Sequence, residues 1–161
     1  MMRTLLTLAL AALVLLSYAG MRKGWNGRLA SQVAVAEPAP LLVSTVVAGP
    51  WPGVYLGSTY AGRWLDRIAA HTLGAKSQAE VARTSDGINV MRAGERSFTI
   101  PNADLIAVRA DKGIAGRAYE DGGIVVITFR LGDAEVDAGF RFPNTDHHIA
   151  ALAALAPEVT A

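Results

Sequence analysis

The chain has 161 residues, 52% of them apolar, with no cysteine and a formal net charge of +1, which leaves room for one domain plus appendages. Lack of cysteine excludes disulfides, thiolate catalysis and Cys-based zinc sites. Residues 51–161 carry 11 basic and 13 acidic residues, so this part lacks the net basic face that phosphate neutralisation needs, and no nucleic-acid partner is expected.

Apolar residues gather first at the N-terminus. Thr4 to Met21 contains no charged side chain and is mostly Leu, Ala and Val. As a helix these residues would extend about 27 Å, close to the ~30 Å of a hydrocarbon core, with Trp25 suited to the interface. Residues 1–21 are therefore expected to be a transmembrane helix, contacting the lipid bilayer through residues 4–21. The rival reading is a secretory signal, with Arg3 as its basic start and Ser17-Tyr18-Ala19 as a small-x-small cleavage site. Arg22, Lys23 and Arg28 favour the anchor, because cations directly behind a cleavage site resist translocation. They also outweigh Arg3, so as topology determinants they keep the C-terminal flank in the cytoplasm and the N-terminus outside.

Residues 22–52 read as a basic juxtamembrane linker punctuated by Pro38, Pro40, Pro50 and Pro52. Within it, Leu41 to Val47 is β-branched enough to dock as a strand. Residues 53–157 form the expected domain. Val54 to Tyr60 reads as a strand, and Gly62 to Leu73 as a short amphipathic helix carrying Trp64, Leu65, Ile68 and Leu73. Asp86-Gly87 marks a hairpin between Ala79–Arg83 and Ile88–Arg92. Further strands are expected at Ser97–Ile100, Leu105–Ala110, Ile124–Phe129 and Ala134–Phe142. A last helix begins at Asn144 or Thr145, carries Ile149, Leu152 and Leu155 at helical spacing, and stops at Pro157. The expected fold is mainly β: about seven antiparallel strands in a partial barrel plugged by a C-terminal helix, the outline of a pleckstrin-homology-like (PH-like) domain.

Particular residues carry a family resemblance. Gly57-Ser58-Thr59, Trp64-Leu65-Asp66-Arg67-Ile68, His71-Thr72-Leu73-Gly74, Asp111 to Arg117 and Gly139-Phe140-Arg141 resemble a family of small actinobacterial membrane-anchored proteins with a PH-like domain. The likeness covers roughly residues 53–156. It implies a fold and a single-pass anchor, and supplies no catalytic residues. Lipid-binding PH domains use a Lys/Arg-rich first hairpin; here that region offers only Arg63, Arg67 and Lys76, so head-group recognition is not supported.

Candidate sites are few. In the loop from Asp111 to Arg117, Gly113 and Gly116 permit tight turns, and Lys112 and Arg117 add charge. Exposed amides there could cradle an anion, against the plainer reading of a glycine-containing connection. Adjacent His147 and His148 diverge by about 100° on a helix, a poor metal chelate beside Asp146. His71 with Asp66 would be an acid/base pair, but no nucleophile motif accompanies them. Asp133, Glu135 and Asp137 alternate along one strand face, as a cation site or a solvated edge. Trp64 either anchors the short helix or forms part of a partner-binding patch. The sequence thus predicts no catalytic, cofactor or metal residues, no cofactor, and a non-catalytic binding or scaffolding module with an unidentified protein partner. The alternative function is an accessory subunit of a transport or export complex.

Overall fold

The computed structural model describes residues 2–31 and 35–157, with side chains over residues 10–24 and 35–157. Two compact units divide the chain, Met1–Ala34 and Val35–Ala161. The first is one helix, α1 (Met2–Ser31). Its Leu10, Leu13, Val14, Leu15 and Leu16 are all exposed. The Ser17 hydroxyl bonds back to the Leu13 carbonyl at 2.8 Å, so it presents no bare polar group. Among the described residues no helix is long and apolar enough to cross a membrane. Residues 4–9 of the expected span, with the side chains of Arg3, Trp25 and Arg28, lie outside the described side chains; Arg22 and Lys23 are exposed.

In the second unit the strands are β1 (Ala39–Pro40), β2 (Val46–Tyr60), β3 (Ser77–Thr84), β4 (Gly87–Arg92), β5 (Phe98–Pro101), β6 (Leu105–Asp111), β7 (Gly113–Ile114), β8 (Arg117–Ala118), β9 (Ile124–Leu131) and β10 (Ala134–Arg141); helix α2 (Thr145–Ala154) follows. Eight strands form one antiparallel sheet in the order β1-β5-β4-β3-β2-β10-β9-β6, with β7 and β8 a separate hairpin. The long β2 serves two neighbours, pairing with β3 over residues 46–55 and with β10 over residues 54–60.

Apolar alternation fills the inner face. Tyr55, Val81, Ile88, Phe98, Ile127, Phe129 and Phe140 belong to one buried cluster, with Tyr55 and Phe140 rings 5.5 Å apart. The Tyr55 hydroxyl donates to the Leu73 carbonyl at 2.7 Å; burial pushes its pKa up to about 12, against the opposing effects of Ser58 and Arg92. The Arg92 guanidinium lies over the Tyr55 ring, 4.2 Å from its centroid, and donates to the Ala75 carbonyl at 2.8 Å. Residues 72–75 are thereby tied to the core. Asn144 caps α2 by accepting from the His147 amide at 3.1 Å. The helix buries Ala151 and, just beyond its end, Leu155.

Three expectations are corrected. The described residues of 22–52 do not form a linker throughout: α1 runs on to Ser31, and Val35, Ala39 and Pro40 are docked on the sheet. Ala39 and Pro40 pair with β5, the Leu42 amide donates to Thr99 Oγ1, and the Asn89 side chain donates to the Leu42 carbonyl. Strand β2 begins at Val46, inside the expected linker, while Leu41 to Val43 is exposed and not a strand. Second, Gly62 to Leu73 is not an amphipathic helix. Its backbone bonds go to β2 instead: the Ile68 amide donates to Ser58, and Tyr60 and Ser58 donate to Asp66 and Leu73. Only Ala70–Thr72 makes a 3-10 turn, with His71 and Thr72 at positive φ. Ile68 and Leu73 are buried as that periodicity implied, but Trp64 and Leu65 are 46% and 68% exposed. Third, Ile149 is exposed on α2, so the buried stripe runs through Ala151 and Leu155.

Candidate functional site

The outer face of β9 is also apolar, and the β7–β8 hairpin covers it. Ala115 and Gly116, both at positive φ, make the tight turn between Ile114 and Arg117. Ile114 then packs with Leu56, Ala115, Ile124 and Val126 in a second cluster. Gly139 permits this approach, since a Cβ there would lie 2.5 Å from Ile114 Cγ2. The hairpin is clasped to the 62–67 loop by the Gly116 amide on the Trp64 carbonyl at 3.1 Å, and by Arg67 on the Ala115 carbonyl at 2.6 Å.

Between hairpin, loop and sheet lies a concavity of about 350 Å³. Thr59, Val126 and Asp137 line it from the sheet, Trp64 from the loop, and Ile114 and Tyr119 from the hairpin and its exit. Thr59 and Thr128 sit opposite Asp137 on the two neighbouring strands, so three polar side chains cross one face in a row. Thr128 donates to Asp137 Oδ1 at 2.6 Å, and Arg109 Nη1 donates to the same oxygen at 3.2 Å. Oδ2 accepts from Arg109 Nη2 at 2.9 Å and from the Gly62 amide at 3.3 Å. Arg109 also donates to Thr128 Oγ1 at 2.7 Å and, through Nε, to Asp111 at 3.3 Å. Burial pushes the Asp137 pKa up, but the Arg109 and Thr128 hydrogen bonds, the Arg109 charge and the Gly62 amide together hold it below the usual carboxylate range. Hydrogen bonding to Asp137 raises the Arg109 pKa in turn, against partial burial. Thr59 Oγ1, fully buried, has no hydrogen-bond partner among the described residues.

Of the residues singled out from the sequence, Trp64, Lys112 and Gly113 line this concavity; Gly116 and Arg117 do not. Arg117 instead donates to the Leu56 carbonyl at 2.8 Å. Of the amides weighed as an anion cradle between Asp111 and Arg117, against the favoured reading of a plain connection, Gly116 donates to the Trp64 carbonyl and Lys112 to Asp111 Oδ1. His71 Nε2 meets the Val35 carbonyl at 2.9 Å while Asp66 pairs with Arg63, so they form no acid/base pair. Asp133 and Glu135 are exposed and Asp137 is buried; β10 is an inner strand, not a solvated edge. Among the described residues no group of three potential metal ligands occurs. Arg109 and Thr128 escaped the sequence reading, and Thr59 entered it only within Gly57-Ser58-Thr59, with no site role. The signal for Thr128 was its place as the polar residue inside the apolar run from Ile124 to Phe129.

One long strand, β2, shared between two halves of an antiparallel sheet and followed at the C-terminal end by a helix, fits the architecture of a PH-like domain. The comparison with protein families agrees: residues 33–156 match the family described as Bacterial PH domain-like, and the chain belongs to that family. No curated protein and no solved structure matches it.

Proposed function

We propose that the chain is a membrane-tethered, non-catalytic binding or scaffolding module, its PH-like domain on the cytoplasmic side. The observation that carries this is the pairing of a PH-like domain with the uncharged apolar run from Thr4 to Met21. A helix exposing apolar side chains on all sides is stable when lipid or protein covers it. Binding without catalysis is supported by the concavity's chemistry. Asp137 accepts from Arg109, Thr128 and Gly62, Asp111 accepts from Arg109 and the Lys112 amide, and among the described residues no histidine lines the space, so both lining carboxylates are already engaged. Tethering raises the local concentration of the domain, so weak contacts to a protein partner at the bilayer would suffice.

Two measurements test the reading. The chain should stay in the membrane pellet through alkaline carbonate extraction, and a phosphatase reporter fused after Ala161 should be inactive. Release by carbonate would remove the tether, and a strongly active reporter would reverse the orientation or favour signal cleavage near Ala19. The alternative of an accessory subunit in a transport or export complex draws on the apolar side chains that α1 exposes from Leu10 to Leu16, a surface that packing against a partner helix would cover. Exchanging residues 1–31 for an unrelated transmembrane helix should leave a scaffold working and disable a subunit that packs through its helix.

A further inference from the structure

We infer that the concavity between β2, β9, β10 and the β7–β8 hairpin binds a small uncharged molecule, an apolar ring or branched hydrocarbon carrying one hydrogen-bonding group. This rests on the reading of the domain as a binding module and names what one of its sites takes. Size comes first: about 350 Å³ is near the lower end of small-molecule sites, which run from roughly 300 to 1,000 Å³. Charge comes second. Arg109 and Lys112 face the concavity with Asp111 and Asp137, two cations against two anions. Both oxygens of Asp137 already accept two hydrogen bonds each, so a cation finds no free carboxylate there. Arg109 is held by Asp137, Asp111 and Thr128, and Lys112 is exposed, 3.9 Å from Asp121, so an anion would have to break an existing pair at the floor and meets only a solvated cation at the rim. A charged ligand would be desolvated with little return, whereas an uncharged one gains from Trp64, Ile114, Tyr119 and Val126.

The third observation is Thr59. Its hydroxyl is fully buried without a partner, while the neighbouring hydroxyl of Thr128 is engaged twice. A buried hydroxyl is costly to leave unpaired. A ligand group within reach of Oγ1 would complete it, which places the polar end of the ligand at the sheet and its apolar body toward Trp64.

Four probes sharing one ring separate the alternatives: phenol, toluene, phenyl phosphate and phenyltrimethylammonium. Each is titrated into the full chain in lipid nanodiscs, reading the Ile114 and Val126 methyl resonances, which partition of a probe into lipid does not saturate. Phenol should give saturable shifts at both methyls and bind more tightly than either charged probe. Thr59→Val should weaken phenol about tenfold, the loss of one buried hydrogen bond, while leaving toluene unchanged. Ala118→Phe, at an exposed lining position, should abolish binding of both without moving the Ile88 and Ile100 methyls. Tighter binding of phenyl phosphate or phenyltrimethylammonium would overturn the inference, as would the absence of saturable shifts or indifference of phenol to Thr59→Val. Any of these, with the carbonate and reporter results intact, rejects the ligand class and leaves the tethered module standing.

Discussion

Asp137 shows how one side chain can be both buried and ionised. Four donors surround its two oxygens, and Arg109 supplies the compensating charge. Its pKa is depressed in the folded state, so the stability it contributes is present above the ordinary carboxylate range near pH 4. That stability is lost as pH falls through the folded value. Asp137→Asn should cost about 2 kcal/mol at neutral pH, less than a fully buried pair because Arg109 is partly exposed. It should also flatten the acid side of the stability curve, which urea denaturation at pH 7 and pH 3 would measure. Thr59 makes the opposite case. Thr59→Val replaces an unpartnered buried hydroxyl with a methyl of the same shape and should raise the stability of the free protein by roughly 1 kcal/mol. A loss of stability in thermal melts would mean that the hydroxyl has a partner after all.

At the scale of elements, what decided the outcome was where backbone hydrogen bonds go. Strands with alternating or continuous apolar residues, such as β4, β9 and β10, stand close to where the sequence placed them, because period two and the Asp86-Gly87 turn act locally. The segment from Gly62 to Leu73 has helical spacing, but β2 offers its amides and carbonyls better partners than a nascent helix could. Residues 35–42 looked like linker because their prolines and small side chains make few local signals; what holds them is distant in sequence, His71 at Val35, β5 at Ala39 and Pro40, and Thr99 and Asn89 at Leu42. The site was harder still to read, since Thr59, Thr128 and Asp137 meet only through strand register. Helix α2 had the right position and cap, and of its expected stripe Leu155 is buried and Leu152 packs against the core, while Ile149 is exposed. Leu155→Ala should therefore cost about 3 kcal/mol and Ile149→Ala within about 0.5 kcal/mol. Comparable losses in chemical denaturation would contradict the packing of α2 described above.

For the molecule as a whole, the shared strand β2 sets the order of events. Its first half pairs with β3, a neighbour in sequence, but its second half pairs with β10, at the far end of the sheet domain. Contacts of such separation slow folding. During synthesis at roughly 5–20 residues per second, Val136 emerges about 4–15 s after its partner Tyr60. Until then residues 54–60 carry an unsatisfied strand edge, the kind of surface that invites wrong partners. The floor of the concavity, which needs Thr59 beside Asp137, is assembled only when β10 arrives. Any nascent or truncated chain that stops before β10 is thus a chain without a site, and ligand occupancy reports that synthesis ran through the last strand.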